Sequence, residues 1–394
     1  MQTTLETHRA IINRQIRERN TVSAAFFARE AARLARVSRL MAERFLRGGR
    51  LLTFGSGAAA SDAQHIAVEF VHPVLVGKRA LPALDLSAVY RQWLPVGLRS
   101  EDIVIGLGPP AGDPDVERAL QHAAAHGALA FGLPGDGGHE GVTAPSPDPF
   151  IHQEMMEIAY HTLWETVHVF LERQALGYSG GTASFLYPFL GGPEPLEETV
   201  ISEVAASILS KAACDEHLRD EIAANQGEAI TEAALTLRDR AGRGGAVWCF
   251  GNGGSATDAT DFAMDLTASP KGHAPVAAHS LAAEPATLTA LANDVGVEAV
   301  YVRQLAAHCG PNDIAVAFST SGGSANIVAA LVEARARGLA TIAFLGYDGG
   351  EILRQHLADH AIVVSSDQIP RIQEIHASMY HVLLDVLDAV RNRM

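Results

Sequence analysis

The chain has 394 residues, 48% of them apolar, and a formal net charge of −15. This length allows two domains with full cores, and the acidic balance argues against a nucleic-acid or anionic-membrane partner. Three cysteines without a short CxxC spacing indicate a reducing compartment and no disulfide framework. Because the N-terminus is polar and no apolar run approaches the roughly 18 residues that span a bilayer, we expect a cytoplasmic protein with no membrane partner.

The elements predicted along the chain form one pattern that occurs twice. Each copy predicts a helix, a strand, a Gly-rich turn, a helix, a strand, a loop, a helix, a strand and a long final helix. The Gly-rich turns align between residues 48–70 and 244–266, and the final helices align between 152–172 and 372–392. Strands that alternate with helices are typical of a parallel sheet covered on both faces. The pattern therefore predicts a tandem α/β protein.

The repeat also predicts the limits of the domains. We expect an N-terminal domain at 1–178 and a C-terminal domain at 198–394, joined by the Gly-, Pro- and Ser-rich linker 179–197. The first copy is shorter between its two loops, and it lacks the additional strand that "HLADHAIVV" predicts for the second copy. We infer that the first copy has been trimmed around the ligand-facing edge of its sheet.

Two loops of the second copy, "GNGGS" at 251–255 and "STSGGS" at 319–324, join a strand to a helix. Such loops offer backbone N–H groups, hydroxyls and the positive end of a helix, and this combination suits a phosphate. Ordinary helix caps in tight turns are the alternative. The lack of GxxxxGK[ST] argues against a nucleotide P-loop. The residues predicted to bind phosphate are Asn252, Gly253, Ser255, Ser319, Thr320, Ser321 and Ser324.

Four stretches of the second copy resemble the sedoheptulose 7-phosphate isomerase (phosphoheptose isomerase) family of the sugar isomerase (SIS) domain superfamily. They are "CFGNGGSATDATDFAMDL", "LANDVG", "FSTSGGSANIVAALVEARARGLATIAFLGYDGGEI" and "PRIQEIHASMYHVLLDVLD". The first copy resembles a degenerate member. The resemblance implies two tandem SIS domains, each a flavodoxin-like three-layer αβα sandwich, with active sites at subunit interfaces. It also implies conversion of the ketose sedoheptulose 7-phosphate into an aldose heptose 7-phosphate through an enediol.

The resemblance further implies four zinc-binding positions, a His-xxx-Glu on the helix after the first turn and a Gln-x7-His on the final helix. The first copy has all four, and the second copy has aspartates in place of His and Glu. The matching residues are His65, Glu69, Gln153 and His161 in the first copy and Asp261, Asp265, Gln373 and His381 in the second. Spacing of i,i+4 puts His65 and Glu69 on one helix face. We expect Zn2+ or another divalent metal. The ligand set of the second copy, with two carboxylates, is chemically harder than the set that zinc usually prefers.

The two copies look complementary. The first copy has Ala59, Pro109, Pro110 and Asp113 where the second has phosphate-binding groups, and each proline removes an N–H while the aspartate would repel a phosphate. The sequence therefore predicts a fused pseudo-dimer in which the second copy holds the sugar phosphate and the first supplies residues across an interface. Pairing of two chains into a homodimer with four SIS domains is expected.

Isomerisation requires a base that moves a proton between adjacent carbons and an acid or metal that stabilises the oxyanion. The resemblance implies proton transfer by Asp265 and His381, or by Glu69 and His65 of the first copy. It also implies that Asp294 and Gln373 bind the substrate. The arginine of the family is absent, so the predicted replacement cations are Lys78, Arg79 and Lys271.

Two other functions stay open from the sequence. One is isomerisation of another ketose phosphate. The other is non-catalytic phosphosugar binding by a regulatory SIS protein, which the aspartates of the second copy would suit. Alone, His65 and Glu69 could be a salt-linked pair, and His161 and His381 could be packed histidines.

Overall fold

The computed structural model describes residues 2–73, 77–135, 141–175 and 197–391. The chain forms two compact units, which we name the N-terminal unit (Thr21–Cys214) and the C-terminal unit (Met1–Asn20 with Asp215–Met394).

The first twenty residues belong to the C-terminal unit, so the units do not coincide with the predicted halves 1–178 and 198–394. These residues form the first part of the long helix α1 (Gln2–Leu46), in which Ile12 lies beside Gly227 of the C-terminal unit. The predicted linker, 179–197, lies outside the described residues except for its last residue. The linker and the domain limits stay predictions.

The N-terminal unit contains a four-stranded parallel sheet of order β2-β1-β3-β4. Its elements are α1 (Gln2–Leu46, from Thr21 onward), β1 (Leu51–Gly55), α2 (Ala59–Val71), β2 (Ala83–Asp85), α3 (Tyr90–Gly97), β3 (Ile103–Leu107), α4 (Pro114–Ala125), β4 (Leu129–Leu133) and α5 (Pro149–Ala175). Side chains of a strand alternate between the two faces of its sheet. Accordingly, Ile103 and Ile105 of β3 lie in one apolar cluster and Val104 lies in another. Both faces of this sheet are therefore covered.

The C-terminal unit contains a five-stranded parallel sheet of order β6-β5-β7-β8-β9. Its elements are α6 (Glu197–Asn225, from Asp215 onward), α7 (Gly227–Ala241), β5 (Val247–Gly251), α8 (Gly254–Thr267), β6 (Ala278–Ser280), α9 (Pro285–Asp294), a 3-10 turn (Val297–Ala299), α10 (Val300–His308), β7 (Ile314–Ser319), α11 (Ala325–Ala336), β8 (Ala340–Gly346), α12 (Gly350–Arg354), β9 (His360–Val364) and α13 (Ile369–Arg391). Ala315 and Ala317 of β7 face one apolar cluster. On the other face Phe318 stacks on Phe344, and Tyr380 of α13 meets its edge.

Parallel sheets with helices on both faces confirm the predicted α/β class and its three layers. The additional strand predicted for the second copy is β9, which pairs with β8. Between its two loops the C-terminal unit also has α9 and the 3-10 turn, and the described part of the N-terminal unit has only α3 at the corresponding place. The first copy is thus shorter at the carboxyl edge of its sheet, as the repeat predicts.

Candidate functional site

The first Gly-rich turn of the C-terminal unit joins β5 to α8. Gly253 has φ 57°, a left-handed conformation that glycine adopts without strain. A Cβ at Gly251 would lie 2.2 Å from the carbonyl oxygen of Ser255, so the strand end and the first helical turn are in close contact. Ser255 is buried in that first turn. The turn therefore fixes the start of α8 at the carboxyl edge of the sheet.

The second loop joins β7 to α11 and is shaped by its own hydroxyls. Ser319 Oγ accepts a hydrogen bond from the N–H of Gly322 at 3.1 Å, and Ser321 Oγ accepts from the N–H of Gly323 at 3.2 Å. Thr320 is half-buried, and Ser321 is exposed. Ser324 occupies the N-cap of α11 but makes no side-chain cap hydrogen bond. The predicted phosphate-binding hydroxyls thus surround a helix start that lacks a side-chain cap.

The two loops are joined by Asn252 and Asn326. Each amide donates to the other, at 2.9 Å from Asn252 Nδ2 and 2.8 Å from Asn326 Nδ2. The sequence interpretation missed Asn326, whose signal is its position two residues after the serine-rich loop. This double hydrogen bond holds the starts of α8 and α11 together, so both predicted loops belong to one site.

The corresponding helix start of the N-terminal unit is closed by its own carboxylate. Asp113 is the N-cap of α4 and accepts hydrogen bonds from the N–H groups of Asp115 at 2.8 Å and Val116 at 3.4 Å. The hydroxyl of Ser56, which aligns with Asn252, also donates to Asp113. An internal anion thus occupies the helix start where a phosphate would bind. This contact supports the predicted loss of phosphate binding in this copy, which stays a prediction.

A buried side-chain contact joins α8 to α13 in the C-terminal unit. His381 Nε2 lies 3.1 Å from Asp265 Oδ2, and both side chains are buried. Asp261 and Gln373, on the same two helices, are also buried. Among the described residues, Asp261, Asp265 and His381 do not form a group of three whose ligand atoms all lie within 4.8 Å of one another. The structure therefore brings two of the four predicted metal ligands of this copy into contact.

The N-terminal unit contains a cluster of three predicted ligands. The ligand atoms of His65, Glu69 and His161 all lie within 4.8 Å of one another, and all three residues are buried. His65 Nε2 is 3.4 Å from His161 Nε2 and 3.9 Å from Glu69 Oε1. In the described part of the chain, Glu69 Oε2 is buried without a hydrogen-bond partner. The fourth predicted ligand, Gln153, donates to Asp62 at 3.2 Å.

Burial sets the protonation of this cluster. Burial and, to a smaller extent, the Glu165 carboxylate raise the pKa of Glu69 to about 8. Burial, with a smaller contribution from the charge of His161, lowers the pKa of His65 well below its usual range. A neutral imidazole and a carboxyl group that titrates near neutrality can bind a divalent cation or exchange protons.

The remaining predicted residues lie elsewhere in the two units. Asp294 is exposed at the end of α9, where Asn293 donates to it at 2.7 Å. Lys271 forms an ion pair with Asp385 at 2.8 Å. Lys78 pairs with Glu172, and the backbone oxygen of Arg79 contacts His168 Nε2. The ammonium groups proposed as substitute cations are therefore already engaged with carboxylates. None of the described helices has an apolar stretch long enough to cross a bilayer.

Comparison with known proteins identifies the family. A model described as "SIS domain" matches residues 215–346. The phosphoheptose isomerase of Helicobacter pylori (strain Shi470) is 42% identical over 145 residues, which are 36% of this chain and 74% of that protein. The phosphoheptose isomerase of Solidesulfovibrio magneticus is 34% identical over 194 residues, which are 49% of this chain and 92% of that protein.

A solved structure matches nearly the whole chain. The C-terminal domain of glucosamine-fructose-6-phosphate aminotransferase from Francisella tularensis covers 97% of this chain and 96% of its own, with a TM-score of 0.59 at 12% identity. At this identity the match shows the fold, which is the predicted tandem SIS fold. The curated relatives confirm the predicted family and the class of enzyme, an isomerase. The chain belongs to the phosphoheptose isomerase family of SIS domain proteins.

Proposed function

We propose that the chain converts sedoheptulose 7-phosphate into an aldose heptose 7-phosphate, with the phosphate held by the two loops of the C-terminal unit. The observation that carries this proposal is the contrast between two helix starts. The start of α11 has hydroxyls and no side-chain cap at Ser324, whereas Asp113 caps α4. The uncapped start of α11 would stabilise a bound anion, whereas the carboxylate of Asp113 would exclude an anion from the start of α4. The names of the relatives supply the seven-carbon sugar.

The length of α8 limits which groups can act on this substrate. Ser255 and Asp265 are ten residues apart on that helix, so a rise of 1.5 Å per residue separates them by about 15 Å. From C1 to phosphorus a seven-carbon sugar phosphate has eight bonds, roughly 12 Å of bond length at about 1.5 Å per bond, and the side chain and hydrogen bond at each end add to this reach. We infer that Asp265 lies near the limit of what a sugar phosphate held by its own unit can contact. The role predicted for Asp265 and His381 stays a prediction, and the cluster of His65, Glu69 and His161 is the other candidate for proton transfer.

We assign proton transfer to Glu69. Its pKa of about 8 suits a group that takes and returns a proton near neutral pH. Glu69 removes a proton from C1 of the ketose, which gives the enediol, and the proton is returned to C2. The hydroxyl proton of C1 passes to the oxygen on C2, carried by an imidazole of the same cluster, His65 or His161. No atom is gained or lost, as an isomerisation requires.

The same three residues would hold a divalent ion such as Zn2+ in place of this proton-transfer role, because a bound cation takes the lone pairs that would otherwise accept protons. Two imidazoles and one carboxylate are a common donor set for zinc, and the buried Glu69 Oε2 has no hydrogen-bond partner among the described residues. The residues therefore fit a cation. When bound, the ion would supply a Lewis acid that polarises a sugar oxygen.

We also propose that two chains associate as a homodimer, which gives the four-SIS-domain assembly that the family resemblance implies. The cytoplasmic location stays a prediction from the composition.

The substrate proposal is tested by proton NMR of the metal-quantified protein with sedoheptulose 7-phosphate. We expect a new anomeric signal from an aldose heptose phosphate. Fructose 6-phosphate serves as the second ketose phosphate, and conversion of that sugar alone would contradict the proposed substrate and favour an isomerase of another ketose phosphate. Conversion of neither sugar, with phosphate binding retained, would favour the regulatory alternative.

A further inference from the structure

The orientation of His65 in the cluster of the N-terminal unit depends on a tyrosine that the sequence interpretation did not single out. Tyr160 lies on α5, one residue before His161, and is buried. Its hydroxyl lies 3.0 Å from His65 Nδ1 and 3.4 Å from Asp62 Oδ1. Asp62 and His65 are three residues apart on α2, so both face α5. Tyr160 thus connects a carboxylate to the ring nitrogen of His65 that lies away from the cluster.

The chemistry of the three groups gives this contact a direction. Asp62 Oδ1 accepts the hydrogen bond from the Tyr160 hydroxyl, which has a single proton to donate. Its oxygen can then only accept from His65, and the imidazole carries its proton on Nδ1. A neutral imidazole has one N–H, so Nε2 keeps its lone pair. That lone pair is on the nitrogen that lies 3.9 Å from Glu69 Oε1 and 3.4 Å from His161 Nε2.

We propose that Tyr160, oriented by Asp62, is a positioning residue that holds His65 with Nε2 available to a divalent cation at the His65–Glu69–His161 cluster. This inference rests on the metal binding suggested under the proposed function. Tyr160 does not touch the cation or the substrate in this role. Groups that hydrogen-bond the far nitrogen of a metal-binding histidine fix its tautomer and ring orientation, and losing them typically weakens metal affinity 10–100-fold.

Asp62 also holds the rest of this arrangement in place. Gln153 Nε2 donates to Asp62 Oδ2 at 3.2 Å, while Oδ1 faces Tyr160. The two carboxylate oxygens therefore contact two residues of α5 that are two turns apart. Asp62 is therefore the residue on which the orientation of Tyr160 depends.

The test is titration of the full-length, metal-free protein with Co2+, followed by the visible absorption of the bound ion. Tyr160→Phe removes the hydroxyl and keeps the ring, and we expect at least about a tenfold weaker affinity and an altered absorption spectrum. Asp62→Asn should also weaken the affinity for Co2+ and alter the absorption spectrum. Tyr90→Phe is the matched control, because Tyr90 is a buried tyrosine of the same unit whose hydroxyl contacts Arg91.

The outcomes separate this inference from the metal proposal. If the wild-type protein binds Co2+ and both Tyr160→Phe and Asp62→Asn bind it with unchanged affinity and spectrum, Tyr160 is not a positioning residue, although the metal centre stands. If the wild-type protein binds no Co2+, the metal centre and this inference are both wrong. Should Tyr160→Phe lose its thermal unfolding transition, a folded Asp62→Asn protein decides in its place, with the same expected loss of affinity.

Discussion

Replacing Glu69 by Gln is expected to lower kcat for sedoheptulose 7-phosphate about a thousandfold, the usual contribution of a general base, and to leave the Kd of the sugar phosphate unchanged. The amide is nearly the same size as the carboxyl group but cannot accept a proton from carbon. Binding should persist because the loops that we propose for the phosphate lie in the C-terminal unit, whereas Glu69 is in the N-terminal unit. Steady-state kinetics and calorimetry of the variant measure the two quantities.

Asp265→Asn is the control variant, whose kcat is compared with that of Glu69→Gln. It also replaces a buried carboxyl group that contacts a histidine, at the position where the resemblance implies a glutamate. Because about 15 Å of helix separates Asp265 from Ser255, we expect the kcat of this variant to stay within about tenfold of the wild-type value when it is measured below its unfolding temperature. A thousandfold loss in Asp265→Asn together with normal turnover in Glu69→Gln would reverse the two assignments.

Gly322→Ala is expected to raise the Kd of the sugar phosphate about a hundredfold. Gly322 has φ +59°, and a Cβ there would lie 2.2 Å from the carbonyl oxygen of Gly349. The serine-rich loop must therefore move, and its donors lose their alignment. Loss of two hydrogen bonds to a charged group costs about 3 kcal/mol, which corresponds to about a hundredfold in Kd. Calorimetry on the Glu69→Gln background measures binding without turnover.

Gly244→Ala is the matched control for the loop. Gly244 also has a positive φ, +80°, but nothing lies within 4 Å of a Cβ built there. Both variants carry the backbone strain of a side chain at positive φ, and only Gly322→Ala displaces the loop. Equal Kd values for the two variants would show that the loop "STSGGS" does not bind the phosphate.

The fold was predictable from the repeat because both copies keep the apolar strands and Gly-rich turns that specify a parallel sheet. "DIAVAF" forms the buried strand β7, and "HAIVV" forms the additional strand β9. The affiliation of residues 1–20 was not predictable, since a helical pattern does not say which unit its apolar face packs against.

The candidate site was predictable to the level of loops and i,i+4 pairs. The family resemblance implies His65, Glu69 and His161 as ligands, and the i,i+4 spacing puts the first two on one helix face. The contacts of Asn326 and Tyr160 were not predictable, because each depends on a residue far away in sequence that one chain without its structure does not reveal. The sequence also did not show that the Asp113 side chain caps α4. Its carboxylate accepts a hydrogen bond from a backbone N–H at the start of that helix, where a phosphate would otherwise bind.

We expect one chain to bind one sugar phosphate, in the loops of the C-terminal unit. Isothermal titration calorimetry of the Glu69→Gln protein with sedoheptulose 7-phosphate measures this number, because the binding stoichiometry counts the occupied phosphate loops. We predict one sugar phosphate bound per chain, since Asp113 closes the corresponding helix start of the N-terminal unit. Two bound per chain would contradict this difference between the units, and no binding would contradict the phosphate site itself.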